Sequence, residues 1–146
     1  LEQKYPDLHL VLAGSVEATL PIPYSNRVHY LGVLSERDVV TLFQALDVGI
    51  ISLQDSAFGR YCFPQKMYEM LACGLAIVAT DVGVMSGLLH QFPQLLYKAN
   101  DSAQLTKTLE YQLIHDILPE LPILDWQELV TSIEPVLKEL IISYSH

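Results

Sequence analysis

Basic residues are scarce in this 146-residue chain: 8 Lys and Arg stand against 17 Asp and Glu, and the net charge is −9. Nucleic acids and anionic membrane surfaces bind through basic patches, so this balance argues against both as partners. Where the few basic residues lie is therefore informative. Arg60 and Lys66 fall between Asp55 and Glu69, in an interval that contains no acidic residue.

Cysteine pairs, metal-ligand spacings and long apolar runs are also lacking. Cys62 and Cys73 form neither a CxxC pair nor a disulfide framework, which is typical of a reducing compartment. The five histidines show no metal-ligand spacing, so we expect no metal. No apolar run reaches the roughly 18 residues of a membrane span. We therefore expect a cytoplasmic protein. The hydrophobic content of 51% separately excludes a disordered chain.

The first residues suggest how the domain is organised. Residues 1–6 read like the last turn of a helix, and the chain begins with Leu1 instead of Met. At this length a chain can bury one hydrophobic core. We expect residues 1–146 to form a single domain, excised from a larger two-domain enzyme.

Short apolar runs alternate with helical patterns. Helix boundaries are indicated by Ser35 and Asp38, which form a capping-box pattern, by Pro64 at a first helical position, and by Gly74 at a C-terminal cap. We predict strands over 8–13, 28–31, 47–53, 76–80 and 95–97, and helices over 35–45, 64–73, 101–117 and 125–144.

Such alternation predicts an α/β fold: a Rossmann-like, doubly wound, mainly parallel sheet with helices on both faces. Ligands on these sheets bind beyond the carboxyl ends of the strands. The site is therefore expected in the loops at 14–15, 32–34, 54–63 and 81–84, with 54–62 irregular throughout.

Residues 58–83 join a polar loop to a short apolar helix that carries Lys66 and Glu69. The first turn of a helix has unpaired N–H groups and favours anions, and Arg60 and Lys66 add positive charge there. Glu69 follows Pro64 by about 7.5 Å along the axis. That offset suits a diphosphate at the helix end and a ribose diol further along, since carboxylates commonly hold ribose hydroxyls.

Plainer interpretations exist for the same residues. Lys66 and Glu69 are three apart, so they could form an ordinary surface ion pair. Gly14 and Ser15 after the first strand could admit a phosphate or ribose, or simply form a turn. No GxGxxG, P-loop or Ser/His/Asp pattern occurs, so we assign no catalytic residue.

Three segments, LHLVLAGS, RVHYLGVLSERDVVTLFQALDVGIISL and FPQKMYEMLACGLAIVATDVG, follow one another in an order that resembles the C-terminal half of a GT-B glycosyltransferase. The sequence is most similar to the retaining family 4, from Leu1 to about Tyr144. The last predicted helix resembles the one that packs after that family's final strand. The resemblance implies a nucleotide-sugar donor-binding domain, with hexosyl transfer from a UDP- or GDP-sugar to a glycan or lipid-linked acceptor.

The resemblance also implies polysaccharide biosynthesis without a metal or other cofactor. An N-terminal acceptor-binding domain is absent from this chain, so we expect nucleotide-sugar binding with little catalysis by the fragment alone. Through that domain the intact enzyme would associate peripherally with the inner membrane.

Residue by residue, Glu69 matches the second glutamate of the family's E-x7-E motif, which holds the ribose hydroxyls. Lys66 matches a position that can stabilise the leaving diphosphate. Tyr61 departs from the pattern, because the family often has a sugar-contacting glutamate there, and Gly83-Val84 replaces a glycine pair. The donor-binding residues implied by the resemblance are Gly14, Ser15, Val33, Leu34, Arg60, Tyr61, Phe63, Pro64, Lys66 and Glu69.

Two alternatives remain at the level of sequence. One is another GT-B-like enzyme, such as a nucleotide-sugar epimerase. The other is a non-catalytic α/β interaction module of the receiver type, for which Asp55 and Asp81 are the only candidate acidic residues.

Overall fold

Parallel strands and α-helices alternate in the computed structural model, which describes residues 4–16, 22–23, 25–122 and 124–143. In chain order the described elements are β1 (Leu10–Leu12), β2 (Val28–Tyr30), α1 (Glu36–Ala45), β3 (Val48–Ile51), α2 (Ala57–Tyr61), α3 (Gln65–Ala72), β4 (Ala76–Thr80), α4 (Val84–Leu88), a 3₁₀ turn (Pro93–Leu95), β5 (Leu96–Tyr97), α5 (Ser102–His115) and α6 (Trp126–Ser143). The predicted α/β class, with parallel strands and helices on both sides, is confirmed.

The described strands form two sheets, whereas the sequence predicted one. In the first sheet β1 pairs with β2, with Val11 opposite His29. In the second the order is β3-β4-β5, with Ile51 opposite Ala79. All of these pairs are parallel. Among the described residues no strand pairs with the second edge of β1 or of β3.

The core lies around β4, the central strand of the second sheet. Every residue of β4 is buried, as expected of a parallel strand covered on both faces. Helices α3, α4 and α5 all contact it. From α3 the side chains of Met67, Met70 and Leu71 are buried in this core.

Two of the three predicted helix-boundary signals are confirmed. The Ser35 side chain accepts a hydrogen bond from the Asp38 N–H at the start of α1. Gly74 has a φ of +76°, the left-handed conformation that favours glycine directly after a helix. Pro64 occupies the N-cap rather than the first helical position, so α3 is one residue shorter at each end than predicted.

The prediction of an irregular loop over 54–62 was wrong. This segment contains α2, whose N-cap Ser56 accepts a hydrogen bond from the Gly59 N–H. A five-residue helix is too short to show an apolar period, which is why the pattern did not reveal it. The equally short α4 was missed for the same reason.

Helix α6 forms close to the predicted bounds, although Tyr144 lies outside the described residues. None of its residues is buried, so the expectation that it packs after the last strand was wrong for this chain. The exposed apolar side chains are Trp126, Val130, Ile133, Val136, Leu137, Leu140, Ile141 and Ile142. Within the described ranges, no helix is both long and apolar enough to span a membrane.

The reading of residues 1–6 as the last turn of a helix falls largely outside the described residues, which begin at Lys4.

Candidate functional site

The first group of predicted residues lies at the carboxyl ends of β1 and β2. The Gly14 N–H donates to the Gly32 carbonyl oxygen at 2.8 Å, and the Tyr30 hydroxyl donates to the Gly14 carbonyl oxygen at 2.7 Å. These bonds hold the loops after the two strands side by side. Tyr30 was not among the predicted site residues, and it is the side chain that fixes Gly14 in place.

Other members of this group face solvent. Ser15 and Val33 are exposed, and Leu34 is half-buried. Gly14 has a φ of +120°, and among the described residues no atom lies within 4 Å of the position of its missing side chain. Its backbone is therefore open to the close approach of a ligand, as the first-strand turn would require.

Arg60, at the end of α2, already has a carboxylate partner. Its Nε lies 2.6 Å from the Asp55 Oδ1, and both side chains are more than half exposed. The hydrogen bond from Arg60 lowers the pKa of Asp55, and the same bond raises the pKa of Arg60. The positive charge that Arg60 brings to this region is therefore offset by the Asp55 carboxylate.

A close backbone contact fixes the end of α2 against the loop after β4. Gly83 has a φ of +56°, and a side chain there would overlap the carbonyl oxygen and Cα of Arg60. The space that glycine leaves at this position is thus occupied by the protein's own backbone.

At the start of α3 two backbone donors remain open. The Gln65 N–H donates to the Phe63 carbonyl oxygen and the Met67 N–H to that of Pro64, both at 2.9 Å. Pro64 is buried and has no N–H. Within the described part of the chain, no acceptor pairs with the N–H of Phe63 or of Lys66. These two N–H groups are the donors that an anion at this helix end can use.

Lys66 and Glu69 do not pair with each other. Lys66 is exposed and takes part in none of the ion pairs between described residues. Glu69 is half-buried, and its Oε1 accepts a hydrogen bond of 2.8 Å from the Gln65 side-chain amide. The ordinary surface ion pair is therefore not formed. Gln65, one helical turn before Glu69, was overlooked although the i,i+4 spacing could have indicated it.

Two aromatic rings lie beside this helix end. The Phe63 and Tyr68 rings are stacked, with centroids 5.3 Å apart and planes 6° from parallel. Phe63 remains 70% exposed, and Tyr61, at the last position of α2, is 86% exposed.

The predicted site residues form two groups: the loops after β1 and β2, and the segment that runs from the end of α2 into α3. Contacts hold each group together internally. Hydrogen bonds connect Gly14 to the loop after β2, and the stacked rings connect the segment before α3 to α3 itself. Among the described residues no hydrogen bond or ion pair joins one group to the other. Nor do any three metal-binding side chains of these residues cluster.

A depression of about 380 Å³ lies elsewhere, at the amino ends of β3 and β4. None of the predicted donor-binding residues lines it, and Asp47 and Asp116 both do. Two carboxylates without a basic residue would repel a diphosphate, so we place no anion site there.

The parallel strands, the crossover helices and the loops at the strands' carboxyl ends define a Rossmann-like α/β domain. The sequence profile described as "Glycosyl transferases group 1" matches residues 1–115, and the chain belongs to this family. The match includes every predicted donor-binding residue and ends with α5, so α6 lies beyond it. A search among curated proteins found no match.

Proposed function

We propose that this chain is the donor-binding domain of a retaining glycosyltransferase and binds a UDP- or GDP-sugar. Family membership supports glycosyl transfer. The observation that carries the donor site is the start of α3, where the open N–H groups of Phe63 and Lys66 accompany the unshared ammonium of Lys66.

In this proposal the diphosphate lies against residues 63–66. Negative charge develops on the diphosphate as the sugar leaves, and preorganised donors at that position stabilise the transition state. Lys66 supplies the full positive charge, since Arg60 is offset by Asp55. We therefore invoke no metal ion or other cofactor for the donor.

The ribose of the nucleotide is assigned to Glu69. Gln65 occupies one carboxylate oxygen and orients the group, while the other oxygen can accept from the ribose hydroxyls. Gly14, Ser15, Val33 and Leu34 would complete the nucleotide side of the site, with the phosphates near Gly14 and the base near the turn after β2.

We further propose that a second domain of the intact, cytoplasmic enzyme binds a glycan or lipid-linked acceptor. The exposed apolar side chains of α6 support a partner of this kind, because monomeric proteins rarely expose large apolar patches. Among the described residues no strand pairs with the second edge of β1 or of β3, which supports it as well. The retaining outcome, the hexosyl specificity and a role in polysaccharide biosynthesis belong to this proposal.

The receiver-type alternative gains nothing from the structure. It requires an acidic cluster at the strand ends, but the Asp55 carboxylate is bonded to Arg60. The epimerase alternative is favoured by no contact among the described residues.

Amide chemical-shift mapping tests the placement of the nucleotide. Titration of ¹⁵N-labelled chain with UDP or GDP should shift the amides of Phe63, Lys66 and Glu69 most strongly. Uridine and guanosine, which lack phosphates, should leave the first two nearly unchanged. Lys66→Gln should weaken the response, whereas Lys107→Gln on α5 should not. The absence of shifts at millimolar nucleotide, or their concentration near Asp47 and Asp116, would contradict the proposal.

A further inference from the structure

The exposed ring of Phe63 is held in a fixed orientation. Tyr68 covers one of its faces through a nearly parallel stack, while the ring as a whole remains 70% exposed. The other face is therefore open to solvent. Exposed aromatic residues are common and need no explanation singly, but this one is fixed as well as exposed.

The backbone beneath the ring is constrained too. Pro64 follows directly and restricts the conformation of Phe63, whose carbonyl oxygen accepts from the Gln65 N–H. The N–H of the same residue is one of the two open donors at the start of α3. The open face of the ring thus lies at a set position relative to the proposed diphosphate.

We propose that the open face of Phe63 is a stacking platform for the hexose of the donor. This inference rests on the proposed function. An aromatic face carries negative potential and attracts polarised C–H groups, and one side of a hexose ring presents several of them. Phe63 is thereby a specificity-determining residue that favours a glycosylated nucleotide over the free nucleotide.

The order of groups along the ligand distinguishes the hexose from the base. Glu69, assigned to the ribose, lies further along α3 than the open N–H groups assigned to the diphosphate. The base is attached beyond the ribose, and the hexose is attached at the opposite end of the diphosphate. Phe63 precedes α3 and therefore lies on the hexose side.

Calorimetric titration with UDP, UDP-glucose, GDP and GDP-mannose tests the platform. Phe63→Leu keeps an apolar side chain but removes the ring. It should weaken the binding of the sugar nucleotide by about 2- to 10-fold, as expected for the loss of ring stacking. Binding of the free nucleotide should not change. Phe63→Tyr should retain the wild-type affinity for both, which separates loss of the ring from loss of folding.

Phe58→Leu provides the matched control, since Phe58 on α2 is 78% exposed. It should change neither affinity. Equal weakening of free and glycosylated nucleotide by Phe63→Leu would overturn the platform while leaving the proposed function intact. Failure of the wild-type chain to bind any nucleotide would overturn both.

Discussion

At the scale of single residues, glycine at position 83 is required by packing inside the protein. The family that this chain resembles has a glycine pair here, where this chain has Gly83-Val84, and the structure brings the backbone of Arg60 against Gly83. This contact anchors α2, and with it the segment that leads into α3.

Gly83→Ala should destabilise the chain by at least about 2 kcal/mol, because alanine is strained at a φ of +56° and would also collide with Arg60. The free energy of unfolding in urea, followed by circular dichroism, measures this. Gly87→Ala in α4 is the control: nothing lies near its missing side chain, and the change should be neutral or stabilising by about 0.5–1 kcal/mol. Equal stability of the two variants would contradict the claim that packing against Arg60 requires glycine at position 83.

The partners of charged residues were harder to predict from sequence than the charged residues themselves. Lys66 and Glu69 were singled out as candidate site residues because they are charged side chains on an apolar helix. The partners of these side chains were not predicted. Glu69 binds Gln65 on its own helix. Arg60 binds Asp55 across the start of α2, an element that the pattern did not reveal. A partner can be read from sequence only when the element that positions it is known.

At the scale of elements, the sequence was sufficient to predict features that depend only on residues close together in the chain. The cap of α1 is made by Ser35 as predicted, because a cap depends on residues within one turn, and Asp101 caps α5 in the same way. Strand ends were predicted too long, for example 47–53 against Val48–Ile51, since an apolar run does not show where pairing stops. Helix α6 was predicted from its period, but the exposure of its apolar side chains could not be predicted.

Truncation that removes α6 should change the free energy of unfolding by no more than about 0.5 kcal/mol, because none of the described residues of this helix, Trp126–Ser143, is buried. Urea unfolding followed by circular dichroism at 222 nm measures this, normalised for the lost helix. Leu71→Ala, which truncates a core side chain of α3, is the contrasting control and should cost about 2–5 kcal/mol. Loss of the cooperative transition on removal of α6 would show that the helix supports the fold.

At the scale of the whole molecule, the fold class followed from the alternation of elements, and the division into two sheets did not. Pairing between strands depends on residues far apart in the chain, and a period of apolar residues carries no information about it. β1 and β3 are apolar throughout, as interior strands of a parallel sheet are, although each has one edge unpaired among the described residues. The family was nevertheless predictable from its motif residues. The placement of the site in the loops at the strands' carboxyl ends stays a prediction.

Nucleotide binding through Glu69 is central to the proposed function, and calorimetric titration with UDP and GDP measures it directly. The wild-type chain should bind one of them saturably. Glu69→Ala should weaken that binding roughly 10- to 100-fold, as expected when hydrogen bonds to a charged group are lost. Glu139→Ala on α6 should leave it unchanged. No saturable binding by the wild-type chain at millimolar nucleotide, or equal affinity in the Glu69→Ala variant, would contradict the central claim.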